Sequence, residues 1–407
     1  MKRYWKLGTL TIFIVVILTG FFIQSSFAFS NNPEFVIKHK NGDEKLGSEV
    51  VVEGEYNEAS RQHIAAITVT QEGSTYLQGS YVSLLQGQFL SPKIKQLQKD
   101  YKSFMRGKRD FTQLYDESSD FLAYVNIESE TDFRGYEVTN LYFDIDMVDK
   151  ETEDRTAFTI DFPKEDGLVF SDVSAVQLRN NELNVIANLS FFDDETGMDE
   201  EEFHVFTIDV DEQEILNDEL IITGFSADDS YTDVQVVEEM DQESAEYSVF
   251  MKNTQKEVLR DDGHYEYEHE NNEFVSYHLD SGEYETIDLS DEIKARDNLL
   301  PIHVQGDQLL LYEMDETELI VYVYNLSNQQ LQNKQNYDLP EEITEEVFLT
   351  VQEDKVIIGD RLKEDKLHTS IVIYDLNSTE KLYEGTIEID DEVPNDYELW
   401  IHDISLQ

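Results

Sequence analysis

The densest run of chemically capable side chains is Asp193 to Glu202, which carries seven carboxylates in ten residues. Oxygen ligands on a flexible loop suit a hard cation such as calcium, with Asp193, Asp194, Glu195 and Asp199 as the candidate metal ligands. The spacing departs from the EF-hand pattern: the third and fifth positions are Glu195 and Gly197 rather than Asp or Asn. In so acidic a chain a solvated loop explains the same residues. Asp144-Ile145-Asp146 and Asp209-Val210-Asp211 pose the same choice.

His264, His269 and His278 are close in sequence. On a strand, His264, Glu266 and Glu268 would share one face, and Tyr265, Tyr267 and His269 the other. A His/Glu metal site is one reading, although the spacing follows no zinc motif. Cross-strand packing of Tyr and His on a surface strand is the expectation. No nucleophile elbow, phosphate loop or dinucleotide fingerprint is present. Paired carboxylates could serve glycoside hydrolysis. With 88 Asp and Glu residues, no pair stands out, and no catalytic residue is named.

One stretch has the opposite charge. Ser91 to Arg109 reads SPKIKQLQKDYKSFMRGKR. Lys93, Lys95, Lys99, Lys102, Arg106, Lys108 and Arg109 stand against Asp100 alone. Ile94, Leu97, Tyr101, Phe104 and Met105 fall on one helical face. Ser91-Pro92 suits a helix start and Gly107 an end. The spacing predicts a basic amphipathic helix near residues 91–109. It would contact a protein partner or an anionic cell-surface polymer, or pack its apolar face on the body while neutralising nearby carboxylates.

The elements that must position these groups are short strands. Val351 to Ile389 predicts strands at Val356–Ile358, Ser370–Leu376 and Leu382–Ile389, with a turn at Asn377–Glu380. Val304-Gln305-Gly306-Asp307-Gln308-Leu309 echoes Val351-Gln352-Glu353-Asp354-Lys355-Val356 at an offset of 47, and Tyr324-Asn325-Leu326 echoes Tyr374-Asp375-Leu376 at 50. Val176-Gln177 and Val234-Gln235 are weaker copies. Leu141 to Met147 followed by Thr156 to Phe162 is a degenerate one. Further strands are predicted at Phe35–Ile37, Val50–Val52, Ala65–Val69, Tyr81–Leu85 and Phe121–Ile127. Periods near 50 residues holding several strands predict an all-β, β-propeller-like fold of six or seven units. Such sheets stack because one small sheet cannot bury both faces alone.

The start of the chain reads as an export signal. Lys2, Arg3 and Lys6 precede the uncharged run Leu7 to Ile23, followed by small and polar residues to Ser30. This predicts a signal peptide or membrane anchor over residues 1–30 and an extracytoplasmic body over 31–407. The protein is then secreted, or held at the membrane by residues 7–23. Cysteine is absent, which excludes disulfides and thiol catalysis. The net charge of −58 argues against nucleic acid, whose phosphates require a basic footprint.

This N-terminal layout and the repeats from Val176 to Ile389 resemble exported, single-segment proteins of bacillus-type Gram-positive bacteria with propeller-like bodies. Neither Trp5 nor Trp400 is followed by Asp, so the Trp-Asp signature is missing and the resemblance assigns no site residues. It implies a body that binds proteins or surface polymers. The first expectation is a non-enzymatic extracytoplasmic binding or scaffold protein, without a cofactor. The alternatives are an extracellular hydrolase acting on a polysaccharide and a calcium-dependent adhesive module.

Overall fold

The computed structural model describes residues 32–406 except 59–62, 77–91, 132–137, 164–166, 180, 194–197, 226–229, 238–245, 261–264, 280, 291–292, 294–295, 297–298, 315–317, 340–346, 361, 364–367 and 390–396. The predicted strand Tyr81–Leu85 and the N-terminal segment lie outside the described residues. The chain forms two compact units, one from Met1–Leu90 and Tyr337–Gln407, the other essentially from Ser91 to Asn336.

The first unit interleaves the two ends of the described chain. Strands β1 (Phe35–Gly42), β2 (Val50–Glu58), β3 (His63–Thr70) and β4 (Gly73–Tyr76) come from its N-terminal part, with a short helix α1 (Glu44–Glu49) between β1 and β2. The second unit follows with β5 (Tyr115–Glu117), β6 (Phe121–Thr131), β7 (Val138–Asp149) and β8 (Arg155–Asp161) as one sheet. The next holds β9 (Leu168–Arg179), β10 (Glu182–Asp193), β11 (Met198–Asp209) and β12 (Glu214–Phe225). The third is β13 (Ser230–Val237), β14 (Tyr247–Leu259), β15 (Tyr265–His278) and β16 (Tyr284–Thr286). The fourth is β17 (Leu300–Gln305), β18 (Gln308–Met314), β19 (Glu318–Asn325) and β20 (Gln330–Asp338). The first unit resumes with β21 (Val347–Gln352), β22 (Lys355–Asp360), β23 (Leu362–Lys363), β24 (His368–Asp375), β25 (Lys381–Ile389) and β26 (Tyr397–Leu406). There β1 joins β25 at the edge of one sheet, and β26 inserts beside β2 in the other. Repeated antiparallel sheets of four or five strands make this an all-β, propeller-like fold.

The repeat is visible bond by bond. The β17–β18 and β21–β22 hairpins both close on two residues, Gly306-Asp307 and Glu353-Asp354. In each sheet the residue after the third strand returns to that turn: Leu326 N donates to Asp307 O and Leu376 N to Asp354 O, both at 2.8 Å. The two sequence landmarks are thus one hairpin and the strand end that locks it.

Alternation along the strands supplies the cores. In the first unit Phe35, Tyr56, Tyr397, Ile357 and Ile404 are buried together, with Phe35 edge-on to Tyr56 at 5.9 Å. At the bulge in β2, a Cβ on Gly54 would meet the Trp400 carbonyl oxygen at 2.1 Å, so only glycine fits that approach. In the second unit Phe143, Phe162 and Phe206 pack at 5.0–5.2 Å.

The basic stretch differs from expectation in its extent. Its helix, α2, runs from Pro92 to Asp100 and then gives way to turns through Gly107. Ile94, Leu97, Phe104 and Met105 are buried, as the helical spacing requires. The helix ends early because residues 104–109 are tied to the β5–β8 sheet, with Lys108 reaching Asp146.

Candidate functional site

Strand β7 separates its side chains cleanly. Phe143, Ile145 and Met147 enter the core, while Asp144 and Asp146 face the other way. Register sets Asp144 opposite Asn126 and Thr159, and Asp146 opposite Tyr124 and Ala157. Glu128, two residues beyond Asn126 on β6, joins the same face.

Two cations converge on Asp146. Lys108 Nζ contacts its carboxylate, with side chains only 7% and 5% exposed. Arg155 donates from Nε to Oδ1 at 2.8 Å and through its second nitrogen to the other oxygen. Lys108 also donates to the Phe104 carbonyl at 2.8 Å and lies 4.0 Å from the centre of the Phe104 ring. Burial lowers the Lys108 pKa despite the attraction of Asp146.

Asp144 is half-buried, and its pKa is raised. Burial is the main cause. Lys108 opposes it, while the negative charges of Asp146 and Glu128 add to it. Asn126, 1% exposed, donates Nδ2 to Glu128 Oε1, and its Oδ1 is buried with no hydrogen-bond partner among the described residues. The face thus holds a carboxyl with a raised pKa, a second carboxylate, a fixed ion pair and an unfilled acceptor. That set can move a proton onto an oxygen of a bound molecule.

The other sequence-nominated residues are placed elsewhere. Asp193 and Asp199 lie at the ends of β10 and β11, and Asp194 and Glu195 are outside the described residues. Among the described residues, no cluster of three or more His, Asp or Glu side chains could hold a metal. His264 is outside the described residues. His269 lies within hydrogen-bond reach of Asn253, while His278 packs edge-on to Tyr247 at 4.8 Å. Asp209 caps a turn, its Oδ1 accepting from Asp211 N and Glu212 N at 2.8 Å.

Of the basic residues, Lys95, Lys99, Lys102, Arg106 and Arg109 are exposed, and Arg109 lies 3.9 Å from Glu128. Lys93 acts electrostatically on Asp116, a buried carboxylate whose pKa is raised by burial and which accepts from Leu178 N at 2.7 Å.

Sequence reasoning missed Tyr124, Asn126, Glu128 and Arg155. The available signal was alternation along β6, which puts Asn126 and Glu128 on one face of a strand whose other face is apolar.

No protein-family model and no curated protein matches the sequence. Solved structures do match. Dipeptidyl peptidase 4 of Porphyromonas gingivalis is 11% identical, with a TM-score of 0.33, over 85% of this chain and 46% of that one. The β-propeller domain of the Trilobed protease from Pyrococcus furiosus is 10% identical, with a TM-score of 0.24, over 72% and 93%. Acylaminoacyl peptidase of Pyrococcus horikoshii is 12% identical, with a TM-score of 0.23, over 64% and 44%. The chain spans less than half the length of the two whole peptidases. Among the described residues no helix is long and apolar enough to cross a membrane.

These matches correct the expectation of a non-enzymatic binding or scaffold protein. All three are named as peptidases or as part of a protease, which the expectation of a non-enzymatic protein did not foresee. The charged groups gathered on the β6–β7 face come from separate strands and a loop, so no contiguous motif marks them in the sequence.

Proposed function

We propose that this protein is a hydrolase that cleaves glycosidic bonds of a polysaccharide by carboxyl acid–base chemistry. The observation that carries the proposal is the environment of Asp144, a half-buried carboxyl whose hold on its proton is strengthened by burial, Asp146 and Glu128. Asp144 serves as the general acid and protonates the departing glycosidic oxygen. Glu128 is the second carboxylate and activates water. Their positions are diagonal across β6 and β7. Such positions lie roughly 7–8 Å apart at the backbone, near enough for both carboxyls to reach one bound sugar. Asn126 steers Glu128, and its unfilled Oδ1 can accept a hydrogen bond from the protonated Asp144 or from a substrate hydroxyl. Lys108 and Arg155 pin Asp146; both cations lower the Asp144 pKa, so burial is what chiefly raises it.

The same reading places the enzyme outside the cytoplasm, delivered by the basic start and the apolar run of residues 7–23. Exposed Arg109 lies 3.9 Å from Glu128 at the edge of the site.

The test is release of reducing ends from cell-wall and storage polysaccharides by the purified full chain, compared with Asp144→Asn and Glu128→Gln. Release that both variants abolish supports the proposal. Release by neither wild type nor variants, or cleavage of peptide substrates that Asp144→Asn leaves intact, overturns it.

A further inference from the structure

A second polar face in the same unit lies on the β13–β16 sheet and belongs to none of the machinery above. Register places Asp233 opposite Asn253, and Asn253 opposite Asn272. It also places Tyr231 opposite Gln255, Gln255 opposite His269, and Tyr267 opposite Glu257. Cross-strand partners and alternate residues share a face, so these side chains stand together.

The hydrogen bonds fix their orientation. Asn253 Nδ2 donates to Asn272 Oδ1 at 2.9 Å, and Asn272 Nδ2 donates to the Leu299 carbonyl at 3.0 Å. The same Asn253 nitrogen lies 3.5 Å from His269 Nδ1, which must accept because an amide nitrogen only donates. The neutral ring then carries its proton on Nε2. That nitrogen and Asn253 Oδ1 are both buried, and both lack a partner among the described residues. The face therefore offers one donor and one acceptor from adjoining side chains, complementary to a hydroxyl group, which both accepts and donates.

Beside them stand two aromatic rings that the fold does not bury. Tyr231 is 46% exposed and Tyr267 60% exposed, with ring centroids 6.5 Å apart at 62°. Large exposed aromatics adjoining oriented amides form an amphipathic surface, apolar on the rings and hydrogen-bonding between them. A pyranose has the matching character, with C–H groups on its ring faces and hydroxyls around its edge. Asp233 and Glu257 stand on the same face and repel anionic sugars.

We propose that this face is a carbohydrate-binding subsite for a neutral pyranose, which stacks on Tyr267 and Tyr231 and places a hydroxyl between His269 Nε2 and Asn253 Oδ1. The proposal deepens the polysaccharide reading given above. In a hydrolase the site would hold a neutral stretch of the polymer away from the cleavage point.

The test uses Asp144→Asn, so that binding is read without turnover, and titrates cellotetraose, maltotetraose, mannotetraose, tetra-N-acetylchitotetraose and tetragalacturonate by calorimetry. At least one neutral tetrasaccharide is expected to bind in the micromolar to millimolar range, and tetragalacturonate is not. Tyr267→Ala and His269→Ala should each weaken binding roughly tenfold or more, without a change in melting temperature. If no neutral tetrasaccharide binds, or if both variants bind like the parent, the site holds only ordered water and the proposal fails. Failure here with polysaccharide cleavage intact in wild type leaves the hydrolase reading standing. Binding here without any cleavage sinks that reading and keeps this one.

Discussion

Lys108 and Asp146 form an ion pair in which both side chains are almost wholly buried, 38 residues apart in sequence. The pair anchors the residues after α2 to β7, and it sets the charge that bears on Asp144.

Breaking one side of that pair should be costly. Asp146→Ala leaves the Lys108 ammonium buried without its carboxylate, and is expected to cost about 3–5 kcal/mol. Lys108→Met should cost less, because Arg155 still holds Asp146. The double variant Lys108→Met with Asp146→Leu should recover much of the loss. Urea denaturation of the four proteins gives the coupling directly.

The raised pKa of Asp144 has a sign that can be read in activity. The acid must be protonated to act, so polysaccharide cleavage should fall as pH rises through the raised value. Asp144→Asn should lower turnover by about 10²–10⁴-fold. In stability the folded state binds this proton more tightly than the unfolded chain does. The carboxyl therefore costs stability above its folded pKa, and that cost disappears as pH falls. A pH–rate profile and a pH–melting profile, with and without Asp144, check both.

His204 should make stability depend on pH in the neutral range. Burial works against its charged form, but Asp218 at Nδ1 (2.7 Å) and Glu202 at Nε2 (2.9 Å) outweigh it, and its pKa is raised. The stabilisation is fully present below the ordinary value of 6.5 and is lost as pH rises through the folded value. His204→Gln should remove this dependence and cost about 1.5–3 kcal/mol at pH 6, the scale of hydrogen bonds to charged groups. Melting temperatures between about pH 5 and about pH 9 show whether the slope disappears.

The β21–β22 turn should be improvable. Glu353 and Asp354 both have left-handed backbones, φ 50° and 57°, in a two-residue hairpin that favours Asn-Gly. Glu353→Asn with Asp354→Gly should stabilise by about 1–2 kcal/mol, the scale of the left-handed penalty for an ordinary residue. The Leu376 N bond to the residue 354 carbonyl is kept, since it uses backbone alone. A rise in melting temperature without a change in denaturant slope is the expected result; a fall would show that the Glu353 or Asp354 side chains matter to the fold.

Strands, turns and the repeat were legible in the sequence because their causes are local. Alternation of Val, Ile and Tyr with polar residues marks β22, β24 and β25, and the Val-Gln and Tyr-Asn/Asp-Leu landmarks mark the hairpin and its locking strand end. The apolar spacing of Ile94, Leu97, Phe104 and Met105 likewise announced a buried face. Tertiary structure alone decided which carboxylates are buried among other charges. Asp144-Ile145-Asp146 and Asp209-Val210-Asp211 are the same pattern. Asp209 caps its own turn at the end of its strand, whereas Asp146 meets Lys108 and Arg155 in mid-strand, and Asp144 is left beside it under burial. The difference is one of desolvation and long-range charge, which depend on what the chain packs against each residue rather than on its neighbours in sequence.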